Sequence, residues 1–219
     1  MSVIVAIDGP AGSGKSSVSK AVARKLGFSY LDTGAAYRVL TWACINGGVE
    51  LTREDDVLGV LEGMDYRAPL NPDAQEFSVG GVDVSQLIRS ESTSAHVSSV
   101  ARHPRVREEL NRGFRALAER ANPGIIIEGR DITTVVAPDA PVRVLLTADE
   151  DVRIARRQAE LAGADASALS QRDRADRKVV DFMTAADGVV TIDSTHLSFD
   201  DTVDALLALI EPELQGEAL

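Results

Sequence analysis

The stretch Gly9-Pro-Ala-Gly-Ser-Gly-Lys15-Ser16-Ser17 constrains the fold more than any other part of the chain. It fits Gly-x-x-x-x-Gly-Lys-Ser, the spacing of a phosphate-binding loop. The pattern carries weight only when a strand precedes it and a helix follows, and both are legible here. Val3-Ile-Val-Ala-Ile7 is a short apolar run of the length of one buried strand, ended by Asp8. After Lys15, apolar residues recur at Val18, Ala21, Val22 and Leu26, a helical period. The alternative, an ordinary Gly-rich turn from strand to helix, does not need this order of parts. In a phosphate loop, glycines let backbone N–H groups approach phosphate oxygens, and the helix start adds its own unpaired N–H groups. The lysine reaches the terminal phosphates and the following Ser hydroxyl sits on Mg²⁺. The expected phosphate-binding set is therefore Gly9, Pro10, Ala11, Gly12, Ser13, Gly14, Lys15, Ser16 and Ser17, with Ser16 as the metal-side residue.

Strand and helix continue to alternate. Tyr30-Leu31 is a strand stub, and Asp32-Thr33-Gly34 opens a helix that Gly47-Gly48 stops. A short helix is expected over Arg53–Met64. Pro69 and Pro72 mark a loop, and Gln75–Val79, Gly80-Gly81 and Val82–Val84 read as a hairpin with a two-residue turn. We take about 65–95 as a small insertion, followed by a Ser/Thr-rich stretch through Ser99 to which no element is assigned. Pro104 suits the first position of a helix striped by Val106, Leu110, Phe114, Leu117 and Ala121. Ile125-Ile-Ile127 is a buried strand that runs into Glu128-Gly-Arg130-Asp131, with a further helix expected after it. Val142–Leu146 is a strand, and a helix from Asp149 to Gly163 carries Arg153, Arg156 and Arg157. Gly163–Ser170 reads as a mobile linker and Gln171–Lys178 as a charge run. Val189–Ile192 is the last strand, and Ser198-Phe-Asp-Asp201 resembles a capping box ahead of the closing helix. Unbroken apolar strands between helices imply an α/β fold: a doubly wound parallel sheet covered on both faces, in one domain with no internal repeat.

Ligands of such sheets bind beyond the carboxyl ends of the strands. Asp8, Asp32–Arg38 and Glu128–Asp131 each follow a strand directly, so they are expected to ring one cleft with the loop. Arg130, lying between strand end and helix, is the arginine least easily read as a solvated surface charge. The net charge of −11 argues against a nucleic-acid polymer as ligand. Arginines focused in a cleft can still hold a small anion in an acidic protein. The single cysteine, Cys44, excludes a disulfide framework and reads as inert core. The three histidines, His96, His103 and His196, have no forced role. No secretory signal or membrane-length apolar run is present, so a cytoplasmic protein is expected.

The chain resembles the bacterial cytidylate kinases, the CMP/dCMP branch of the nucleoside-monophosphate kinases, over essentially its whole length. The markers are Ile7–Ser17, Leu31-Asp-Thr-Gly-Ala-Ala-Tyr-Arg38, Val82-Asp-Val-Ser-Gln-Leu-Ile-Arg89, Pro104-Arg-Val-Arg107, Glu128-Gly-Arg-Asp131 and Arg172-Asp-x-x-Asp176. The loop alone is shared by many kinases; Asp-Thr-Gly-x-x-Tyr-Arg together with Gly-Arg-Asp-Ile-x-Thr-Val-Val is far more specific. The resemblance implies a core (1–64 and 96–219), a monophosphate-binding insert at about 65–95 and a lid at about 150–180. It implies ATP as phosphoryl donor with Mg²⁺, and CMP or dCMP as acceptor. It places Arg38 and Arg130 on the acceptor phosphate and Ser98, Arg107 and Asp131 toward cytosine. Arg172 and Asp176 lie near the acceptor's sugar and phosphate, and Thr33 and Tyr37 belong to the substrate-binding set. Lys15, Arg130, Arg153 and Arg157 stabilise the transferring phosphoryl group. One departure stands out. The family pattern continues Asp-x-x-Arg, but Val179 takes the place of that arginine. The usual Pro-Leu pair is also missing, and Phe182-Met183 stands nearby. Arg177 or Lys178 supplies the charge, or the site does without it. The expected protein is a monomeric kinase that binds neither nucleic acid nor membrane. Another small-molecule P-loop kinase, a nucleotide-dependent switch and an accessory role beside a partner protein remain open. Against a GTPase, Asn-Lys-x-Asp is absent and Asp56-Val-Leu-Gly59 falls in an expected helix.

Overall fold

Two runs rich in β-branched residues form the centre of the molecule. Val3–Asp8 is β1 and Gly124–Gly129 is β5, paired in parallel from Val3↔Gly124 to Asp8↔Gly129. The computed structural model describes residues 2–160 and 182–216, with the backbone alone at Arg157 and Glu160. Strands β2 (Ser29–Asp32), β6 (Val142–Thr147) and β7 (Val190–Asp193) complete a parallel five-stranded sheet in the order β2-β5-β1-β6-β7.

The central strands are apolar without interruption because both faces are covered. Ala6, Leu31, Ile125 and Ile127 face a core shared with α2 (Thr33–Asn46), α3 (Glu54–Gly63) and α5 (Pro104–Arg120). Val5, Ile7, Tyr30, Ile126, Val144 and Leu146 face the other core, built with α1 (Lys15–Leu26) and α7 (Phe199–Gly216). Adjacent residues of one strand thus serve opposite layers. Register then aligns the strand ends. Asp32 lies opposite Glu128, and Asp8 opposite both Gly129 and Leu145. The segments leaving β2, β5 and β1 therefore emerge side by side.

Most element ends follow the local chemistry expected of them. Pro104 opens α5, and α3 contains the Asp56–Gly59 stretch. The capping box is formed with Asp in place of Glu. The Asp201 N–H donates to Ser198 Oγ at 3.1 Å, and the Ser198 N–H donates back to the Asp201 carboxylate at 3.3 Å.

Several expectations are corrected. The unassigned Ser/Thr-rich stretch is helix α4 (Glu91–Ala101), capped by Ser90, whose hydroxyl accepts from the Thr93 N–H at 3.3 Å. Serine is a mediocre helix former, and packing of Thr93, Val97 and Val100 decides the conformation. Its span crosses the expected insert boundary at 95. The hairpin is shorter than expected, with two residues in each of β3 (Ser78–Val79) and β4 (Val82–Asp83). Phe77, Val84 and Ile88 hold it through a small cluster with Ala35 and Val39 of α2. The segment after Asp131 is no ordinary helix but a single π turn, Ile132–Val136. Helix α6 covers Glu150–Glu160. Its expected end at Gly163, the linker and the charge run lie outside the described residues. Among the described residues no helix is long and apolar enough to cross a membrane.

Candidate active site

The loop from Gly9 to Gly14 leaves β1 and delivers Lys15 to the start of α1, with Gly14 in the left-handed region at φ 89° as the N-cap. Gly12, at φ 78°, is pressed against α6: a Cβ there would lie 2.7 Å from the Arg153 carbonyl oxygen. Three consecutive carbonyls of this loop each accept from a cation. Gly9 O accepts from Arg130 Nη1, Pro10 O from Lys15 Nζ at 2.9 Å, and Ala11 O from Arg153 Nη1 at 2.9 Å. Arg153 also donates from Nε to Ala148 O at 3.2 Å, and its side chain is buried. Lys15, Arg130 and Arg153, far apart in sequence, therefore meet on one short arc of backbone.

Behind the arc, Ser16 Oγ donates to Glu128 Oε1 at 2.5 Å. The Tyr30 hydroxyl donates to the same oxygen at 2.8 Å, and Thr33 Oγ1 donates to the Glu128 carbonyl at 2.8 Å. Burial, followed by the Glu128 charge, pushes the Tyr30 phenol well above its ordinary range, so it stays a neutral donor. Asp32 caps α2 by accepting from the Ala35 N–H at 2.8 Å. Its carboxyl is raised first by burial and then by the Glu128 charge. A hydroxyl beside a hard carboxylate oxygen suits Mg²⁺, which takes few protein ligands and completes its shell with water and phosphate. Among the described residues there is no cage of three or more His, Cys, Asp or Glu side chains.

Asp8 is corrected from cleft wall to structural bolt. It is 3% exposed and accepts from the Ile132 N–H (2.8 Å), the Thr133 N–H (2.8 Å) and Thr133 Oγ1 (2.6 Å). Burial outweighs these three bonds and raises its carboxyl. The turn it grips carries Arg130 and Asp131. The Asp131 carboxylate accepts from Arg107 Nη2 across the mouth of α5. Burial raises the Asp131 carboxyl, and Arg107 offsets part of that shift. Tyr37 is buried within electrostatic reach of the pair, its phenol raised by burial first.

On the neighbouring wall, Arg38 Nη1 donates to Ser94 Oγ at 2.7 Å and to Ile88 O at 3.1 Å. Ser98 stands one turn beyond Ser94 on α4, half-buried. Arg156 is engaged by Ser194, donating to its hydroxyl at 2.9 Å and its carbonyl at 2.8 Å. The Arg157 side chain, Arg172 and Asp176 lie outside the described residues. Cys44 is fully buried, its thiol pushed up to about 11 by desolvation, as inert core requires. His103 is held at its ring Nε2 by Leu51 O at 2.8 Å.

Four participants escaped the sequence reading: Glu128 as partner of Ser16, Tyr30, Ser94 and Phe182. Glu128 alone had a usable signal, a carboxylate at a strand end level with the loop. The Phe182 ring lies beneath the Arg130 guanidinium, 4.5 Å from Cζ to centroid.

A family model described as cytidylate kinase matches residues 5–212. The cytidylate kinase of Streptomyces avermitilis is 42% identical over 214 residues, spanning 95% of this chain and 93% of that one. That of Cutibacterium acnes is 42% identical over 220 residues, spanning 97% and 98%. The solved structure of TT1252 from Thermus thermophilus shares the fold, with a TM-score of 0.52 at 20% identity over 97% of this chain and 98% of that one.

Proposed function

The chain belongs to the cytidylate kinase family, and on that premise we propose how its residues divide the transfer of the ATP γ-phosphoryl group to CMP or dCMP. The products are ADP and CDP or dCDP. No finding favours another P-loop kinase or a non-catalytic switch.

The observation that carries the acceptor assignment is the Arg107–Asp131 pair, mostly buried at the strand ends beside the loop. Cytosine offers an amino donor beside a ring nitrogen and a carbonyl, both acceptors. Asp131 accepts from the amino group, and Arg107 donates to the ring nitrogen or carbonyl. Uracil reverses two of these polarities, so the same pair opposes it. Ser98 serves either way, and Thr33 and Tyr37 close this side of the site.

The phosphate end follows from the arc of cations. Backbone N–H groups of Gly9–Ser17 and Lys15 take the donor phosphates. Arg38 and Arg130 hold the acceptor phosphate as planar forks. An acceptor phosphate oxygen is already a competent nucleophile, so no general base is needed. The chain's work is to hold two anions in line and meet the charge that develops between them. Lys15, Arg130, Arg153 and Arg157 do the latter. Ser16 donates its O–H hydrogen bond to Glu128, which leaves its oxygen lone pairs available to a metal ion. Ser16 would hold Mg²⁺, which would supply charge neutralisation at the phosphates. Arg172 and Asp176, with residues about 150–180 as a lid and about 65–95 as the insert, complete the acceptor side. The net charge of −11 supports small nucleotides rather than a nucleic-acid polymer as ligands, and we read the chain as a cytoplasmic monomer.

A coupled ADP-release assay across CMP, dCMP, UMP, AMP and GMP tests this reading. CMP and dCMP turn over well and UMP poorly. Equal rates with CMP and UMP would remove the base-reading role of the pair.

A further inference from the structure

We infer that Phe182 is a positioning residue for Arg130, fixing the plane of the guanidinium that the acceptor phosphate meets. The inference rests on the assignment of Arg130 to that phosphate.

Two of its contacts bear on how Arg130 sits. Its Nη1 donates to Gly9 O, which fixes one edge. The Phe182 ring, 1% exposed, lies under its face at 4.5 Å. Edge and face together leave little rotation about the last torsion of the side chain. A guanidinium is planar, delocalised and weakly hydrated, so it stacks on an aromatic face at small desolvation cost. Stacking uses the π face and consumes no N–H, whereas phosphate is gripped by N–H groups lying in the plane. The ring therefore orients the fork without competing for its donors.

The sequence around Phe182 gives the contact a reason. Val179 stands where the family pattern has an arginine, the Pro-Leu pair usual further on is missing, and Phe182-Met183 stands nearby. Where neither Arg177 nor Lys178 replaces that arginine, the acceptor phosphate depends more heavily on the orientation of the cations that remain. Proline or leucine could cover Arg130 but carries no ring quadrupole with which to hold a cation.

The test combines kinetics with a direct view of Arg130. Loss of a desolvated cation–π contact predicts a rise in the KM for CMP of about 5- to 20-fold in Phe182→Leu. kcat falls with it, because Arg130 also meets the charge that develops in transfer, while the KM for ATP stays within about 2-fold, a split that general loosening of the fold would not produce. Phe182→Tyr keeps the ring and restores the KM for CMP. In an Arg130→Ala background, Phe182→Leu adds nothing further, because the two residues act as a unit. In wild-type protein the Arg130 side-chain N–H resonance, assigned by its loss in Arg130→Lys, carries an upfield ring-current shift. That shift disappears in Phe182→Leu and survives in Phe182→Tyr. Should Phe182→Leu melt too early to assay, Phe182→Met fills the space without a ring.

Three results overturn the inference. A folded, ringless variant could leave both the KM for CMP and the Arg130 resonance unchanged. Phe182→Leu could cost as much in the Arg130→Ala background as in wild type. The wild-type resonance could lack the shift. The underlying reading fails differently: Arg130→Ala alone would leave the KM for CMP unchanged, and the catalytic consequence drawn here would go with it.

Discussion

Removing the Asp8 carboxylate separates its structural work from catalysis proper. In Asp8→Ala, three donors lose their acceptor at once: the Ile132 and Thr133 amides and the Thr133 hydroxyl. Each buried donor left without a partner costs about 1–3 kcal/mol. Burial already holds the ionised Asp8 carboxyl at a disadvantage, which is why its pKa is raised, and deletion returns that part. The expected net loss is therefore toward the lower end, about 3–5 kcal/mol out of a typical total of about 5–15. For a domain of this size that lowers Tm by about 10 °C. The same turn carries Arg130 and Asp131, so kcat/KM for CMP falls by about 100-fold, the scale of a 1 Å misplacement. Asp8→Asn keeps the shape but turns an amide NH₂ toward an N–H, and falls between wild type and alanine. The sign of the pH dependence is fixed too. A folded-state pKa raised above the unfolded one gives stability that is present below the unfolded value and lost as pH rises through the folded value. The gap between wild type and Asp8→Ala therefore widens on acidification toward the ordinary carboxylate range. Urea unfolding at several pH values, with CMP kinetics on each variant, measures all of this. A loss below about 1 kcal/mol for Asp8→Ala, which even one orphaned donor would exceed, refutes the bolt. So does a large loss of stability with the KM for CMP unmoved.

Lys15→Ala lowers kcat by at least about 100-fold, the usual cost of one preorganised charge donor, with an unchanged far-UV circular dichroism spectrum. Gly12→Ala forces a side chain into φ 78° and against the Arg153 carbonyl 2.7 Å away; the KM for ATP rises about 10-fold or more and Tm falls, because loop and α6 must part. Asp131→Ala lowers kcat/KM for CMP far more than for UMP, narrowing a preference that mispaired buried groups can carry to about 10⁴-fold. Since burial raises the Asp131 carboxyl, the CMP-to-UMP ratio in wild type falls on acidification before an ordinary carboxylate near pH 4 would titrate. Paired kcat/KM profiles for the two acceptors read this directly.

The parts legible in the sequence share one trait: their signals are local. Glycine spacing marked the loop, an unbroken Ile125–Ile127 marked a strand buried on both faces, and Ser198 with Asp201 marked a helix start. Local signals also misled. Helix α4 hid because serines both cap and weaken helices, and its buried stripe of Thr93, Val97 and Val100 holds only two strongly apolar residues. The partners inside the site were not legible at all. Ser16 and Glu128 are 112 residues apart, and Asp8 and Thr133 are 125 apart. Strand order β2-β5-β1 is what joins them, and no window of sequence states that order. Asp8 was placed on the correct strand end, but whether a carboxylate there faces ligand or grips a neighbouring turn depends on which N–H groups the segment after the next strand presents.

The Gly9, Pro10 and Ala11 carbonyls accept from Arg130, Lys15 and Arg153 in turn. Three like charges on so short an arc repel one another, and in many anion-binding clefts dissolved counterions relieve that strain. Here fixed peptide dipoles do it. Mobile ions thin out when a buffer is diluted, and Coulomb forces then lengthen their reach; a backbone carbonyl keeps its place. The arrangement of these cations is thus independent of ionic strength even though attraction of the nucleotides to them is not. On the proposed reading, an incoming phosphate oxygen would meet donors that are already aimed and exchange places with an oxygen of the backbone.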